Sequence, residues 1–198
     1  MYNVAGPMVL TNSTVTENTT SFSFGGAIYT ENGSLHVVNS TLVSNSCVCG
    51  AFGTAGIYGD GTAITIRNTI LANDDGNCDT DPLNMAFDNY ATDNSCSPAA
   101  TQVSQDALNL GNLNWNGGPN TIAPTIRPGP GSVAINGGDN GVCAAAVGAP
   151  TYGAGGVDQR GVTRPQGAGC DAGAYEVRAT LGRPPRPRPA TQDNGRGR

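Results

Sequence analysis

Lysine is absent from this chain: all ten basic residues are arginines. Histidine and tryptophan occur once each, and charged residues make up only 13%. Five of the arginines (Arg183, Arg186, Arg188, Arg196 and Arg198) fall in residues 181–198, where with Asp193 they give a net +4. The other five stand against 14 carboxylates in residues 1–180, a net −9. An acidic body without a basic stripe excludes nucleic acid as its partner. No Cys-x-x-Cys pair occurs, and a single histidine argues against zinc. No apolar run approaches the ~18 residues of a membrane span. No leader-like segment precedes the first repeat, so an extracellular chain of this sequence takes its export signal from elsewhere.

What is present is punctuation. Glycine numbers 29 and proline 13, against 37% hydrophobic residues. That balance fits many short strands joined by turns. Three segments align on tyrosine: "MYNVAGPMVLTNSTVTEN", "IYTENGSLHVVNSTLVSN" and "IYGDGTAITIRNTILAND". Tyr2, Tyr29 and Tyr58 match, followed by Met8/Leu35/Ile64, Leu10/Val37/Ile66 and Val15/Leu42/Leu71. The period is 27 residues, then 29. Alternating apolar pairs predict short strands with one buried face. One such unit cannot bury that face alone, whereas stacked units can. The expectation is therefore all-β: a parallel β-helix with coils of about 27–29 residues. Asn12, Asn39 and Asn68 follow the same strand in each repeat. There a left-handed residue suits the turn, and stacked amides can bond into a ladder. Asn18 and Asn45 match again, with Asp74 in the third position. Three divisions follow: terminal coils over 1–76, an irregular closing region over 77–178, and a Pro/Arg-rich tail over 179–198 that reads as disordered.

The six cysteines are Cys47, Cys49, Cys78, Cys96, Cys143 and Cys170. Their even number suggests an oxidising compartment, although 15 pairings are open. Cys78 and Cys96 bracket a loop-rich stretch, and Cys143 and Cys170 bracket a Gly/Ala-rich one, so these two pairs are the structural disulfide candidates. An 18-residue loop closed by the first is worth about 3 kcal/mol. Cys47 and Cys49 stand too close for an ordinary bridge, leaving a strained pair, free thiols or an outside partner.

"NTILAN…NC…SC", "NGGPNTIAPTIRPGPGSVAINGGDNGVC" and "DQRGVTRPQGAGCDAGAYE" together resemble the C-terminal region of choice-of-anchor Q domain proteins. The resemblance covers roughly residues 8–177. It implies a right-handed β-helix of the pectin-lyase-like kind in a secreted or cell-surface bacterial protein. A variable anchor follows the block in that family; here "RATLGRPPRPRPATQDNGRGR" stands in its place.

Candidate chemistry is sparse. A polysaccharide lyase of this architecture needs a carboxylate cation site and an Arg or Lys base on an outer sheet face. The outward columns of the central strand read Val9–His36–Thr65 and Thr11–Val38–Arg67, without a carboxylate. A hydrolase needs paired carboxylates. Asp74 and Asp75 are adjacent and require a third partner. Asp75, Asn77, Asp79 and Asp81 alternate as in a calcium loop. Thr80 and Ala86 replace the glycine and glutamate that loop needs, so the stretch reads as a solvated turn and no cofactor is expected. His36 reads as a strand-surface residue, and Trp115 as cap packing with sugar stacking as its alternative. Sequons at Asn12, Asn18, Asn32 and Asn39 mostly coincide with repeat positions, which ladder geometry explains better than glycans. Asp158, Arg160, Arg164 and Glu176 form a charged block among glycines, expected to pair and close the end of the array. The leading expectation is a non-catalytic extracellular protein contacting polysaccharide or cell-surface glycan. The alternative is the remnant of a polysaccharide lyase or glycoside hydrolase.

Overall fold

The computed structural model describes residues 1–21, 24–48, 53–80, 88–120 and 122–178. Cys49, Asp81, Ala86 and the tail 179–198 lie outside them. The fold is mostly β. The first repeat forms β1 (Tyr2–Val4), β2 (Pro7–Thr11), β3 (Thr14–Thr16) and β4 (Thr19–Thr20). The second forms β5 (Ile28–Glu31), β6 (Ser34–Val38), β7 (Thr41–Val43) and β8 (Ser46–Cys47). The third forms β9 (Ile57–Asp60), β10 (Ala63–Arg67) and β11 (Ile70–Ala72). Then follow β12 (Cys78–Thr80), β13 (Tyr90–Ala91), β14 (Thr101–Gln102), α1 (Gln105–Leu108), β15 (Leu110–Asn114), β16 (Thr125–Pro128) and α2 (Asn140–Ala144).

Equivalent strands of successive repeats pair in parallel. The first sheet runs β1-β5-β9-β12, the second β2-β6-β10, and the third β3-β7-β11-β13-β14. Their register joins the residues that the repeat aligns: Tyr2↔Tyr29↔Tyr58, Met8↔Leu35↔Ile64 and Val15↔Leu42↔Leu71. Inward residues of all three sheets share one core, including Ile28, Ile57, Leu35, Val37, Ile64, Ile66, Leu42 and Leu71. Each is fully or almost fully buried, worth about 1.5–3 kcal/mol apiece.

Pairing does not stop at residue 76. Cys78 pairs with Ile57, Tyr90 with Ile70, and Thr101 with Tyr90. These steps are shorter than the repeat, and the strands have two or three residues, so no period of 27 survives in the sequence. β15 and β16 form an antiparallel hairpin instead. A second core joins Val43, Ile70 and Ala72, on the outer face of the third sheet, to Leu108, Ile126, Ala134 and Ala172. β7 and β11 are thus buried on both faces, which is why they are apolar or small without alternation.

Asparagines organise the turns. Asn12, Asn39 and Asn68 have φ of 48°, 43° and 48°, the left-handed geometry that asparagine tolerates best. Their amide ladder is incomplete. Asn68 Nδ2 donates to Asn39 Oδ1 at 3.3 Å, but Asn12 Nδ2 donates to Ala154 O and Asn39 Nδ2 to Asp171 O. Carbonyls of the C-terminal segment displace the neighbour in the column. The continuous ladder lies one turn later. Asn18 Nδ2 donates to Asn45 Oδ1, Asn45 to Asn73, and Asn73 to Asn77, at 2.8, 2.8 and 3.0 Å. Asn73, not Asp74, therefore occupies the third rung. The third repeat is one residue shorter there, and a buried rung favours a neutral amide over a charge.

Two disulfides staple the second half. Cys78 and Cys96 are bonded with Cα atoms 5.1 Å apart, and Cys143 and Cys170 with Cα atoms 6.6 Å apart. Cys47 is disulfide-bonded as well. No described helix is long and apolar enough to cross a membrane.

Candidate functional site

The charged block does not present a site. Asp158, Arg160, Arg164, Asp171 and Glu176 are all buried. Asp158 Oδ2 accepts from Arg160 Nη2 at 2.6 Å, and Glu176 Oε2 from Arg164 Nη1 at 2.9 Å. The remaining capacity goes to the backbone. Arg164 donates to the carbonyls of Asp171, Gly173 and Val157, while Arg160 donates to Glu176 O and packs 3.3 Å over the Tyr175 ring. Asp158 also accepts from the N–H of Arg160, Val162 and Glu176. Glu176 accepts from the N–H of Gln166 and Asp171. Burial pushes the Asp171 and Glu176 carboxyls up and the Arg164 guanidinium down. Every guanidinium nitrogen has a protein acceptor, which leaves none for a substrate.

The loop just before this block covers part of the outer face of the second sheet. Val9 is 41% exposed, but Val38 in the neighbouring outward column is fully buried. The His36 ring stacks on Tyr152 at 3.7 Å, and Arg67 Nη1 donates to Thr151 O. Tyr152 covers one face of His36, which stays partly exposed on the strand surface, and burial pushes its imidazole down. Arg67, the one base in these columns, is tied to the covering loop. Asn77 of the alternating acidic stretch is consumed by the ladder and by Asp93, so its side chain does not join Asp75 and Asp79. No group of three or more His, Cys, Asp or Glu side chains among the described residues is placed to hold a metal ion.

Two open surfaces among the described residues gather side chains suited to a ligand. One is a cleft of about 320 Å3 between the outer face of the third sheet and the β15–β16 hairpin. Glu17, Ser44, Asp74, Gln105 and Asn112 give it a mostly polar lining, with Leu113 as an exposed apolar wall and Val43, Ala72 and Ile126 almost wholly buried behind it. Glu17 and Asp74, two repeats apart at the same edge of the third sheet, both line it. A neighbouring cleft shares Thr16 and Leu113 with it and reaches Gln159. Trp115, two residues after Leu113, is 64% exposed, contrary to a packing role in the cap. The hairpin holds its own backbone bonds without burying this ring.

The other is the outer face of the first sheet. Tyr2, Tyr29 and Tyr58 stack with centroids 4.9 and 5.4 Å apart, and Phe24 stacks on Tyr58 at 4.9 Å. Asp79 continues the tyrosine column, and Val4, Glu31 and Asp60 form the column beside it. Tyr29 Oη donates to Glu31. Neither ion pair among the described residues involves these three carboxylates. Comparison with family models, curated proteins and solved structures yields no match.

Proposed function

We propose that the chain is the closing end of a right-handed parallel β-helix of the choice-of-anchor Q kind, in an extracellular or cell-surface protein that contacts glycan without cleaving it. In-register parallel pairing at a spacing of one repeat, with three sheets around a single core, supports the β-helix. Disulfides in the described chain support an oxidising, extracellular setting. The cleft beside the hairpin carries the glycan reading. The carboxylates and amides of Glu17, Asp74, Gln105 and Asn112 suit a sugar's hydroxyls, and the exposed side of Leu113 suits its C–H face. Carboxyls with raised affinity for a proton, which a general acid needs, lie sealed in the closing block.

The joint presence of Glu17 and Asp74 in one cleft favours a second reading, glycoside hydrolysis by a carboxylate pair. A panel of neutral and acidic polysaccharides, assayed for binding and for released reducing ends, separates the two. Binding without turnover, weakened about tenfold by Asn112→Ala with Glu17→Gln, is expected from lost hydrogen bonds of ~1 kcal/mol or less each. Turnover abolished by Glu17→Gln or Asp74→Asn establishes the hydrolase instead. Absence of binding across the panel rejects both and leaves a structural stalk.

A further inference from the structure

The stacked face of the first sheet is distinct from the glycan cleft and has its own chemistry. It presents three tyrosines, Phe24, and the carboxylates Glu31, Asp60 and Asp79, while β1, β5, β9 and β12 contain no basic residue. Tyr2, Phe24 and Val4 are 70%, 41% and 48% exposed, so the face is partly apolar and open. Aromatic rings and carboxylates both attract cations. Carboxylated polymers are repelled.

The chain carries a segment of the matching composition. Residues 183–189 read RPPRPRP, beyond the last described residue, and the tail is net +4. We propose that the outer face of the first sheet is a docking surface for this segment of the same chain. Proline-rich segments dock on aromatic-lined surfaces because proline restricts the free chain and little entropy remains to be lost. Arginines between the prolines add forked hydrogen bonds to carboxylates and stacking on rings. The repeats are commensurate. A polyproline II turn of three residues advances ~9 Å, and two strand spacings in a sheet cover ~9.6 Å. Glu31 on β5 and Asp79 on β12 stand two strands apart in adjacent columns, about 12 Å between Cα atoms, a span that the long side chains of Arg183 and Arg186, one such turn apart, can bridge. The eight residues from Arg178 to Arg186 span up to about 28 Å when extended.

The test uses the full chain with p-benzoylphenylalanine in place of Pro187, irradiated at low micromolar concentration and mapped by mass spectrometry. The expected product is a monomeric cross-link to the peptides that carry residues 28–31 or 57–60. Its yield should fall about three- to tenfold in Glu31→Gln/Asp79→Asn, from the loss of two exposed charge pairs, and in molar salt through screening. Both carboxylates are on the outer face, and an unchanged circular dichroism spectrum verifies that the variant folds. Cross-links only between chains assign the surface to a second copy and overturn the proposal. So does cross-linking elsewhere, its absence, or a yield indifferent to the substitutions.

Discussion

Arg164→Met is the sharpest test of the closing block. Arg164 is 7% exposed, and its guanidinium serves Glu176 Oε2 at 2.9 Å and the carbonyls of Asp171 and Gly173 at 2.7 Å each. Methionine keeps the volume but removes the charge and every donor. Glu176, fully buried, is then left with the N–H groups of Gln166 and Asp171 alone. Breaking one partner out of a buried pair costs about 3–5 kcal/mol. Against a domain stability of about 5–15 kcal/mol this is a large fraction. With a urea dependence of ~2 kcal/mol per molar, the midpoint falls by ~2 M. Urea titration followed by near-ultraviolet circular dichroism reads the change. Arg164→Met/Glu176→Leu, which removes the uncompensated carboxylate too, should recover part of the loss. A midpoint within ~0.5 M of the parent for Arg164→Met refutes the structural reading of the block. It would place this arginine where an active-site residue belongs, dispensable for the fold.

Two further outcomes follow from buried polar groups. Asn45→Asp removes the donor to Asn73 Oδ1 and to the carbonyls of Val15 and Val43, and puts a carboxylate on a fully buried rung. A loss of about 3 kcal/mol in urea titration is expected at neutral pH, and an unaffected midpoint removes the ladder as a source of stability. Asp171 and Glu176 hold their protons more tightly folded than unfolded, because burial raises both. Their stabilising contribution is complete below the ordinary carboxylate range and is lost as pH rises through the raised folded values. Urea midpoints measured from pH 4 to 8 should therefore show a component that declines with pH and shrinks in Asp171→Asn. A profile with the same slope in the variant contradicts that assignment.

The sequence makes the stacking register readable because side chains of one repeat lie directly above those of the next. A matched Tyr2, Tyr29 and Tyr58 in the text is a matched column in space. The continuation through β12, β13 and β14 is not readable this way. Strands of two or three residues carry too few side chains to show a pattern, and their spacing shrinks. The shift from Asp74 to Asn73 is invisible for the same reason: a one-residue deletion in a turn leaves both neighbours polar. The candidate cleft escapes the sequence. Glu17 and Asp74 share one edge of the third sheet through the repeat, but Asn112 joins their cleft only because the hairpin folds back over that sheet, a long-range contact with no local signature. The charged block was legible in composition, since its arginines and carboxylates are rare elsewhere in the body, but its burial follows from packing against the repeats.

The bonds that tie this closing segment to the first repeats carry a kinetic consequence. Ala154 meets Asn12, Gln159 meets Thr14 and Ala174 meets Thr41, across 142, 145 and 133 residues. Closing so long a loop adds little to the free-energy cost, which grows only by about 0.6 kcal/mol per doubling of length. It weighs on the rate, because such contacts form only after a wide search. On the ribosome each repeat can stack on the one before as it emerges, while Asn12 and Asn39 wait for partners made last. A nascent chain halted short of Glu176 thus has its three stacked sheets but not its lock, and the final ~20 residues of the closing block decide when folding is finished.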